Sequence, residues 1–408
     1  MNNRKWSRLG RRDFVKMLGL GTGAMMVNPS LQFPDRVLAQ TVSNSLPSTP
    51  TTLKIGLLLP SSNIRPGMTT QLMNGMQLYF DQVKSDFGRV QLIPESIGLG
   101  STVALRKATQ LLKEADVDLV IGMVSTPTAL RLQPLFEAEQ KVLLVVGAGE
   151  TMPRSHESSP YIFHATLNYW QSNWAAGRWA AQHKGNRAFM ISSFYESGYD
   201  SFYAFQSGFE SAGGTIIGRA VTHISPDNDG MPDAMAALQA AQPDVVFAAY
   251  NGEPTHDFLR YFADLAPNST LMGTAFMLDD RAMAPVDMYF GTSWLIDLDN
   301  AQNTAFSTDY RRLVGHTPDA FASLGYETAQ MLTQSIQSGG VLAHQLPAVH
   351  INGPRGNLTI QHQSLVGPTY LASIHAGQAS ILTHFPTLIT ELAHTTEPRS
   401  GWLNPYLV

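Results

Sequence analysis

The sequence predicts an α/β protein made of two doubly wound lobes. Strand patterns alternate with helical patterns from residue 53 to 147, and the alternation restarts and runs from about 166 to 290. The strands are nearly continuous apolar runs, which is typical of parallel sheets covered by helices on both faces. The chain has 408 residues, 44% of them hydrophobic and 14% charged, so it is long enough for two lobes with separate cores.

The first lobe is predicted from four strands that alternate with three helices. The strands are LKIGLLL (53–59), RVQLIPE (89–95), DLVIGMV (118–124) and KVLLVVG (141–147). Apolar residues at helical spacing place the helices at 68–83, 102–115 and 129–139. This alternation predicts parallel strands joined by helical crossovers.

The second lobe repeats this architecture without repeating the sequence. A strand at 160–166 leaves the first lobe, and the following strands are predicted at 186–193, 215–221, 243–250 and 269–275. The helices between them are predicted at 168–183, 201–212, 232–241 and 257–265. The remaining elements are a strand, two helices and two extended segments, at 288–298, 302–314, 318–337, 348–360 and 369–385.

The N-terminal segment has the features of an export signal. RRDFVK (11–16) has the spacing of a twin-arginine signal, and a short Gly-rich apolar run follows it. We predict a signal peptide over 1–39 that is cleaved near Ala39, and a Ser/Thr/Pro-rich linker over 40–52. Because the chain has no cysteine, we expect no disulfide and no lipid anchor. The expected product is a soluble periplasmic protein carried by the twin-arginine export machinery.

Polar residues follow three predicted strands of the first lobe. The carboxyl ends of parallel strands meet at one sheet edge, and the cleft between two such lobes is the default ligand site. A hydroxyl beside the N–H groups of a helix start can hold a carboxylate, and glycine lets the backbone approach a ligand closely. Helix capping and turn formation are the alternative explanation for each strand end taken alone. The predicted ligand-binding residues on this edge are Arg65, Ser125, Thr126, Gly149, Glu150 and Thr151.

The second lobe presents aromatic and polar residues at the corresponding edge. Aromatic rings at strand ends can stack on an organic ligand, although they also pack between lobes as core. The predicted ligand-binding residues here are Tyr195, Tyr250, Asn251 and Phe276.

Catalytic and metal-binding motifs are absent from the sequence. There is no G-x-S-x-G elbow, H-E-x-x-H motif, P-loop or cysteine nucleophile. The 12 histidines are scattered without metal-ligand spacing. The net charge of −5 and the lack of a basic block argue against nucleic acid as a partner. We therefore expect a binding protein with no catalytic residues, no cofactor and no metal.

Several sequence segments together match the pattern of one protein family. They are PYIFHATLNYWQSNWAAGRWAA, INGPRGNLTI and YETAQML, with the ordered motifs LKIGLLLPSS, VDLVIGMVST, VLLVVGAGE, PDVVFAAYNGEP and LMGTAF. The chain resembles the periplasmic ligand-binding proteins of the branched-chain amino-acid ABC transporter type over about 53–376. Several fragments are more similar to the branch that takes up aromatic and other organic acids than to the leucine binders.

The resemblance implies a type I periplasmic-binding fold, in which two Rossmann-like lobes are joined by three crossover strands. We place the crossovers near 165–168, 292–297 and 350–357. The first lobe then comprises 53–165 and 297–350, and the second comprises 166–292 and 357–408. Such a protein is expected to be a monomer that closes on a small-molecule ligand by a hinge and presents it to an inner-membrane ABC permease.

The resemblance also implies how a ligand is held. In the amino-acid binders a hydroxyl residue and backbone N–H groups bind the ligand carboxylate, at positions that correspond here to Ser125 or Thr126 and to 149–151. An aromatic residue in the loop after the first strand often contacts the ligand, and the matching position here is Arg65 or a neighbour. These binders place an acid after MG-x to neutralise the ligand ammonium, whereas this chain has Ala275 there.

A buried ammonium without a partner is costly, and an arginine favours a carboxylate. The leading hypothesis is therefore uptake of an organic acid that bears a carboxylate, including aromatic acids. The second hypothesis is uptake of a branched-chain amino acid or amide, with Glu150 or Glu253 taking the role of the missing acid. A receptor that feeds a membrane sensor and a periplasmic hydrolase on an α/β scaffold are the competing classes.

Overall fold

The fold is built around two α/β sheets. The structure is a computed structural model, and it describes residues 52–62, 65–84, 88–98, 100–149, 159–194, 196, 200–224, 229–265, 267–280 and 286–386. The predicted export signal, nearly all of the predicted linker and the segment after 386 lie outside the described residues.

The described part of the first lobe begins with alternating strands and helices. Their bounds are β1 Leu53–Leu59, α1 Met68–Gln82, β2 Val90–Ser96, α2 Ser101–Lys113, β3 Leu119–Gly122, α3 Thr126–Glu139, β4 Val142–Gly147 and β5 Ile162–Thr166. Helix α3 begins at Thr126, three residues before the predicted start at 129. Pro127 fits this first turn because the N–H that proline lacks has no helical partner there.

The second lobe continues the alternation of strands and helices. Its elements are α4 Tyr169–His183, β6 Arg187–Ser193, α5 Asp200–Ser211, β7 Thr215–Thr222, α6 Met231–Ala241, β8 Val245–Ala249, α7 Glu253–Leu265, β9 Thr270–Thr274, the 3-10 helix Ala275–Asp280 and β10 Met288–Thr292. The strand predicted over 288–298 ends at Thr292. The Thr292 hydroxyl donates to the Trp294 carbonyl at 2.8 Å and accepts from the Trp294 N–H at 3.2 Å, so the side chain closes a turn there.

The remaining elements return to the first lobe and then to the second. They are α8 Ala301–Val314, α9 Ala320–Gln337, α10 Leu342–Gln345, the 3-10 helix Leu346–Ala348, β11 His350–Gly353, β12 Gly356–Gln361, β13 Ser364–Val366, β14 Thr369–His375 and β15 Gln378–Phe385. Within the described ranges, the helices all lack the combination of length and apolar character that a bilayer crossing requires.

The two sheets confirm the predicted fold class of two doubly wound lobes. The first sheet has the order β11-β12-β13-β5-β4-β3-β1-β2, and the second has the order β15-β14-β10-β9-β8-β6-β7. The central strands pair in parallel, as β1 does with β2 and β3. Antiparallel strands complete one edge of each sheet.

The central strands of each sheet are buried on both faces, which explains their continuous apolar runs. In β1, Leu57 packs in the cluster on one face and Leu58 in the cluster on the other, and both are fully buried. In β8, Val246 and Phe247 divide in the same way between the two faces of the second sheet. A strand between two layers of helices has no polar face to present.

Within the described residues the chain passes between the two sheets three times, and the position of the third passage corrects the prediction. The first passage lies between β5 and α4 and the second between β10 and α8. The third joins β13 to β14, at 366–369 rather than near 350–357. The segment 357–366 therefore belongs to the first lobe. The reason is that Gly353 and Gly356 face each other in a hairpin, which keeps β12 beside β11, and β13 then pairs with β5.

Each lobe contains a pair of helices whose backbones touch through glycines. In the first lobe α1 crosses α9, and in the second α4 crosses α5. A Cβ atom added at Gly75 or Gly325 would lie 2.0 Å from a carbonyl oxygen of the facing helix, and at Gly177 or Gly208 it would lie 2.1 or 2.0 Å from one. These separations are far below van der Waals contact, so only glycine allows the two crossings.

Candidate functional site

Arg65 connects the two lobes at the mouth of the cleft. It lies in the loop between β1 and α1, where its backbone N–H donates to the Ser62 hydroxyl at 2.9 Å. Its Nε donates to Asn251 Oδ1 at 3.1 Å, and its Nη2 donates to the Phe276 carbonyl at 2.8 Å. Both acceptors belong to the second lobe. Three of the residues predicted to bind ligand, Arg65, Asn251 and Phe276, therefore meet in space.

Phe276 is the centre of an aromatic stack beneath Arg65. The guanidinium carbon of Arg65 lies 4.3 Å from the Phe276 ring centroid, in cation–π geometry. The Tyr169 ring stacks on Phe276 with centroids 4.6 Å apart, and the Phe321 ring lies parallel at 6.1 Å. Tyr169 follows the first passage between the lobes and Phe321 lies in the first turn of α9, so the stack draws on both lobes.

A cavity of about 230 Å³ lies against this stack. Its volume is just below the roughly 300–1,000 Å³ typical of pockets for drug-sized ligands, which suits a small solute. Its wall combines aromatic and aliphatic side chains with a few polar groups, including Arg65, Ser172, Thr292 and Asp319. Ala275 also lines the cavity, at the position where the sequence led us to expect an acid.

The cavity extends along the second passage between the lobes. Residues 292–296 line it on this side, and Trp294 donates from its indole N–H to Asn303 Oδ1 at 2.8 Å. Residues 317–321, at the start of α9, line another side. Asp319 caps this helix by accepting the Ala322 N–H at 2.9 Å. The site therefore contains both a cation, Arg65, and an anion, Asp319.

Ser125 and Thr126 lie at the start of α3, as predicted, but they do not line this cavity. Ser125 is the N-cap residue, yet its side chain makes no hydrogen bond to a helix N–H. Its hydroxyl instead donates to the Thr128 hydroxyl at 3.1 Å. Ser125 is exposed, so this helix start is open to solvent. Simple capping therefore does not explain the Ser125 side chain.

Gly149 is explained by close packing against the first passage between the lobes. Its φ is +79°, and an added Cβ would lie 2.5 Å from Thr166 Oγ1. Its carbonyl accepts the Trp170 N–H at 2.9 Å, and the Ala148 carbonyl accepts the Tyr169 N–H at 3.0 Å. The end of β4 thus anchors the start of α4. Gly149, like Ser125, is not among the residues that line the cavity.

Tyr250 is a core residue of the second lobe, which corrects its prediction as a ligand contact. It is fully buried, its ring stacks on Phe258 at 4.7 Å, and its hydroxyl is 2.9 Å from the Thr222 hydroxyl. Burial raises the pKa of the Tyr250 phenol. The prediction failed because β8 ends at Ala249, and a strand-end residue can point into the core as readily as into the cleft. Glu150, Thr151 and Tyr195 lie outside the described residues.

The cavity wall includes residues that were not predicted from the sequence, among them Tyr169, Trp294, Asp319 and Phe321. Asp319 lies at the start of the helix predicted over 318–337, and an acid at a helix start is indistinguishable in sequence from an ordinary cap. Tyr169 directly follows one predicted crossover and Trp294 lies within another. This was the available signal, because a cleft between lobes is bordered by its crossovers. Within the described part of the chain, no group of three or more His, Asp or Glu side chains could hold a metal ion.

Comparisons with solved structures find the same fold in several transport proteins. An ABC transporter substrate-binding protein from Sphaerobacter thermophilus is 23% identical, with a TM-score of 0.75 over 82% of this chain and 98% of its own. A solute-binding protein of an ABC transporter from R. palustris, solved in complex with benzoate, is 21% identical, with a TM-score of 0.71 over 83% and 98%. A leucine-binding protein from Thermotoga maritima is 15% identical, with a TM-score of 0.68 over 82% and 99%. At these identities the likeness establishes the fold.

The family is established by a match to the sequence model named periplasmic binding protein, which covers residues 52–379. No curated protein sequence matches the chain significantly. The family match confirms the resemblance seen in the sequence, and the type I fold of the structural neighbours agrees with it. The chain belongs to the periplasmic binding protein family, and a periplasmic location follows from that membership.

Proposed function

We propose that the protein is the solute-binding component of an ABC importer and captures a small aromatic carboxylate between its lobes. The observation that carries this proposal is the Arg65 guanidinium, held 4.3 Å above the Phe276 ring at the edge of a small cavity. An arginine recognises a planar carboxylate through paired N–H groups, and aromatic walls favour a ring. The benzoate-bound protein from R. palustris shares the fold, which supports this ligand class.

A branched-chain amino acid is the second candidate, and Asp319 is the observation that favours it. Its carboxylate lines the same cavity as Arg65, so a zwitterion has a cation for its carboxylate and an anion for its ammonium. Ala275 removes one expected partner of an ammonium, and Asp319 is a replacement from another element. The aromatic acid remains preferred because Tyr169, Trp294, Phe276 and Phe321 all line the wall.

Isothermal titration with benzoate, benzamide and leucine separates the candidates. Benzamide keeps the ring and the planar shape of benzoate but has no charge. A charge-assisted hydrogen bond contributes about 1.5–3 kcal/mol, so benzamide should bind at least about tenfold more weakly than benzoate. Leucine should show no binding. Binding of leucine without binding of benzoate would reject the proposed ligand class.

Two matched variants assign the roles within the cavity. Arg65→Gln should weaken benzoate by about tenfold or more and should change benzamide little, because only the charged ligand uses the guanidinium. Asp319→Asn keeps a good helix-capping residue, so α9 should stay intact. The Asp319→Asn variant should bind benzoate with the same affinity as the wild type or a higher one. If the ligand were an amino acid, the same substitution would abolish binding, because the ammonium would lose its partner. Arg260→Gln is the control, since Arg260 is exposed, does not line the cavity, and contacts Asp257 and Tyr261 of its own helix.

Transport is tested in cells. Deletion of the gene should abolish high-affinity uptake of labelled benzoate. If the protein served a membrane sensor instead, the deletion would abolish ligand-dependent gene expression and leave uptake intact. We propose no chemical step on the ligand, so the bound solute should be recovered unchanged after long incubation.

Export through the twin-arginine route predicts that replacing Arg11 and Arg12 by Lys keeps the protein out of the periplasm.

A further inference from the structure

A buried ion pair lies where the three passages between the lobes converge. Glu327 in the middle of α9 and Arg355 in the turn between β11 and β12 are both completely buried. Arg355 Nε donates to Glu327 Oε2 at 2.5 Å, and the Arg355 backbone N–H donates to Oε1 at 2.8 Å. Both carboxylate oxygens are thus engaged by a single residue of the turn.

This turn contacts each passage separately. Arg355 Nη1 donates to the carbonyl of Thr166, the last residue of β5 before the first passage, at 2.7 Å. Asn300, which ends the second passage and caps α8, donates from Nδ2 to the Pro354 carbonyl at 3.0 Å. Tyr370, in β14 just after the third passage, donates from its hydroxyl to the Arg355 carbonyl at 2.9 Å. We call Glu327, Arg355, Thr166, Asn300 and Tyr370 the hinge cluster.

Stability alone gives no reason for an ion pair at this position. Replacing a buried pair by apolar residues is often neutral or stabilising, because desolvation offsets the Coulomb attraction. The pair is also incompletely satisfied, since Arg355 Nη2 is buried without a hydrogen-bond partner among the described residues. What it supplies is geometry, because a guanidinium fixes several acceptors in one plane at set distances.

Four of the five residues belong to the first lobe or to the passage ends attached to it. Thr166 ends a strand of the first sheet, Asn300 caps a helix that packs on α1, and Glu327 and Arg355 lie in α9 and its adjacent hairpin. Tyr370 alone lies in a strand of the second sheet. Its bond to Arg355 therefore joins the lobes, in the same conformation in which Arg65 joins them across the cleft.

We infer that the hinge cluster positions the lobes for ligand capture. It fixes the first-lobe ends of the three passages as one rigid body, so bending occurs on the second-lobe side of each, at 167–168, 293–299 and 367–368. The Tyr370–Arg355 bond stabilises the arrangement in which Arg65 also joins the lobes across the cleft, which we call the bridged arrangement. The cluster does not touch the cavity described above, so it sets how readily the lobes close and leaves ligand selectivity unchanged.

Pulsed-dipolar distance measurement between two spin labels tests this without any ligand. The chain has no cysteine, so labels at Glu137→Cys in the first lobe and Asp233→Cys in the second are unique, and both positions are exposed. Tyr370→Phe removes only the hydroxyl. It should shift the distance distribution of the ligand-free protein away from the bridged arrangement, and should weaken every ligand by the same factor, about fivefold for one net hydrogen bond.

Tyr326→Phe is the matched control. It also removes one tyrosine hydroxyl bond, to Gln82 at 2.8 Å, but both partners lie in the first lobe. It should leave the distance distribution unchanged. Glu327→Gln should broaden the distribution further, and if that variant fails to fold, Tyr370→Phe decides alone. A Tyr370→Phe distribution that matches the wild type would overturn the inference, and it would do so whatever ligand the cavity binds.

Discussion

Gly325→Ala tests the backbone contact between α1 and α9 in the first lobe. The added Cβ would lie 2.0 Å from the Leu72 carbonyl oxygen and 2.9 Å from its carbon. Carbon and oxygen approach to about 3.3 Å in the closest favourable contacts, so the helices must separate by more than about 1 Å. Overpacking of this kind costs about 1–3 kcal/mol, and the upper end applies because helix backbone cannot rotate aside as a side chain does.

The alanine also brings a gain, because glycine is about 1 kcal/mol worse than alanine within a helix. The net expectation is therefore a loss of about 2 kcal/mol in the free energy of unfolding, measured by urea titration with circular dichroism. Gly67→Ala is the control, since no atom lies within 4 Å of the added Cβ and the residue already has helical angles. Its effect should stay within about 0.5 kcal/mol. Equal stability of the two variants would refute the close crossing.

Three further results are expected. His164 lies in β5, and burial lowers its pKa to about 4 from an ordinary 6.5, so the unfolded chain binds a proton between pH 6.5 and 4 that the folded protein does not. The free energy of unfolding should fall as pH drops through this window, by at most about 3 kcal/mol. His164→Gln should make the free energy of unfolding less dependent on pH in this window. The same pH dependence in the variant and the wild type would contradict the burial of His164. Tyr250→Phe should lower the free energy of unfolding by about 1 kcal/mol, because the Thr222 hydroxyl loses a buried hydrogen-bond partner. It should leave the affinity for benzoate unchanged. A large loss of affinity would show that Tyr250 contacts the ligand. Gly149→Ala should destabilise the protein by about 1–3 kcal/mol, because the methyl group meets Thr166 at a left-handed backbone position, and wild-type stability would contradict that packing.

The alternation of strands and helices was predictable because the central strands of each sheet are buried on both faces. Apolar runs such as β1 and β8 carry that signal within one short segment. The third passage was not predictable in the same way. Gly353 and Pro354 break the extended pattern as a crossover would, and only the pairing of β11 with β12 shows that they form a hairpin.

The cavity was predictable in part. Arg65, Asn251 and Phe276 follow strands whose ends meet at the cleft, so topology alone brought them together. Asp319 and Phe321 lie at the start of α9, far from Arg65 along the chain. No pattern in the sequence indicates that the first turn of α9 lines the same cavity as Arg65. Tyr250 shows the opposite error, since the position after a strand does not decide whether a side chain points to the core.

A crystal structure of the protein grown with benzoate tests the central claim most directly. We expect the ring within the cavity among Tyr169, Phe276 and Phe321, and a carboxylate oxygen within about 3 Å of the Arg65 guanidinium nitrogens. An empty cavity with benzoate bound elsewhere, or a carboxylate directed away from Arg65, would contradict it.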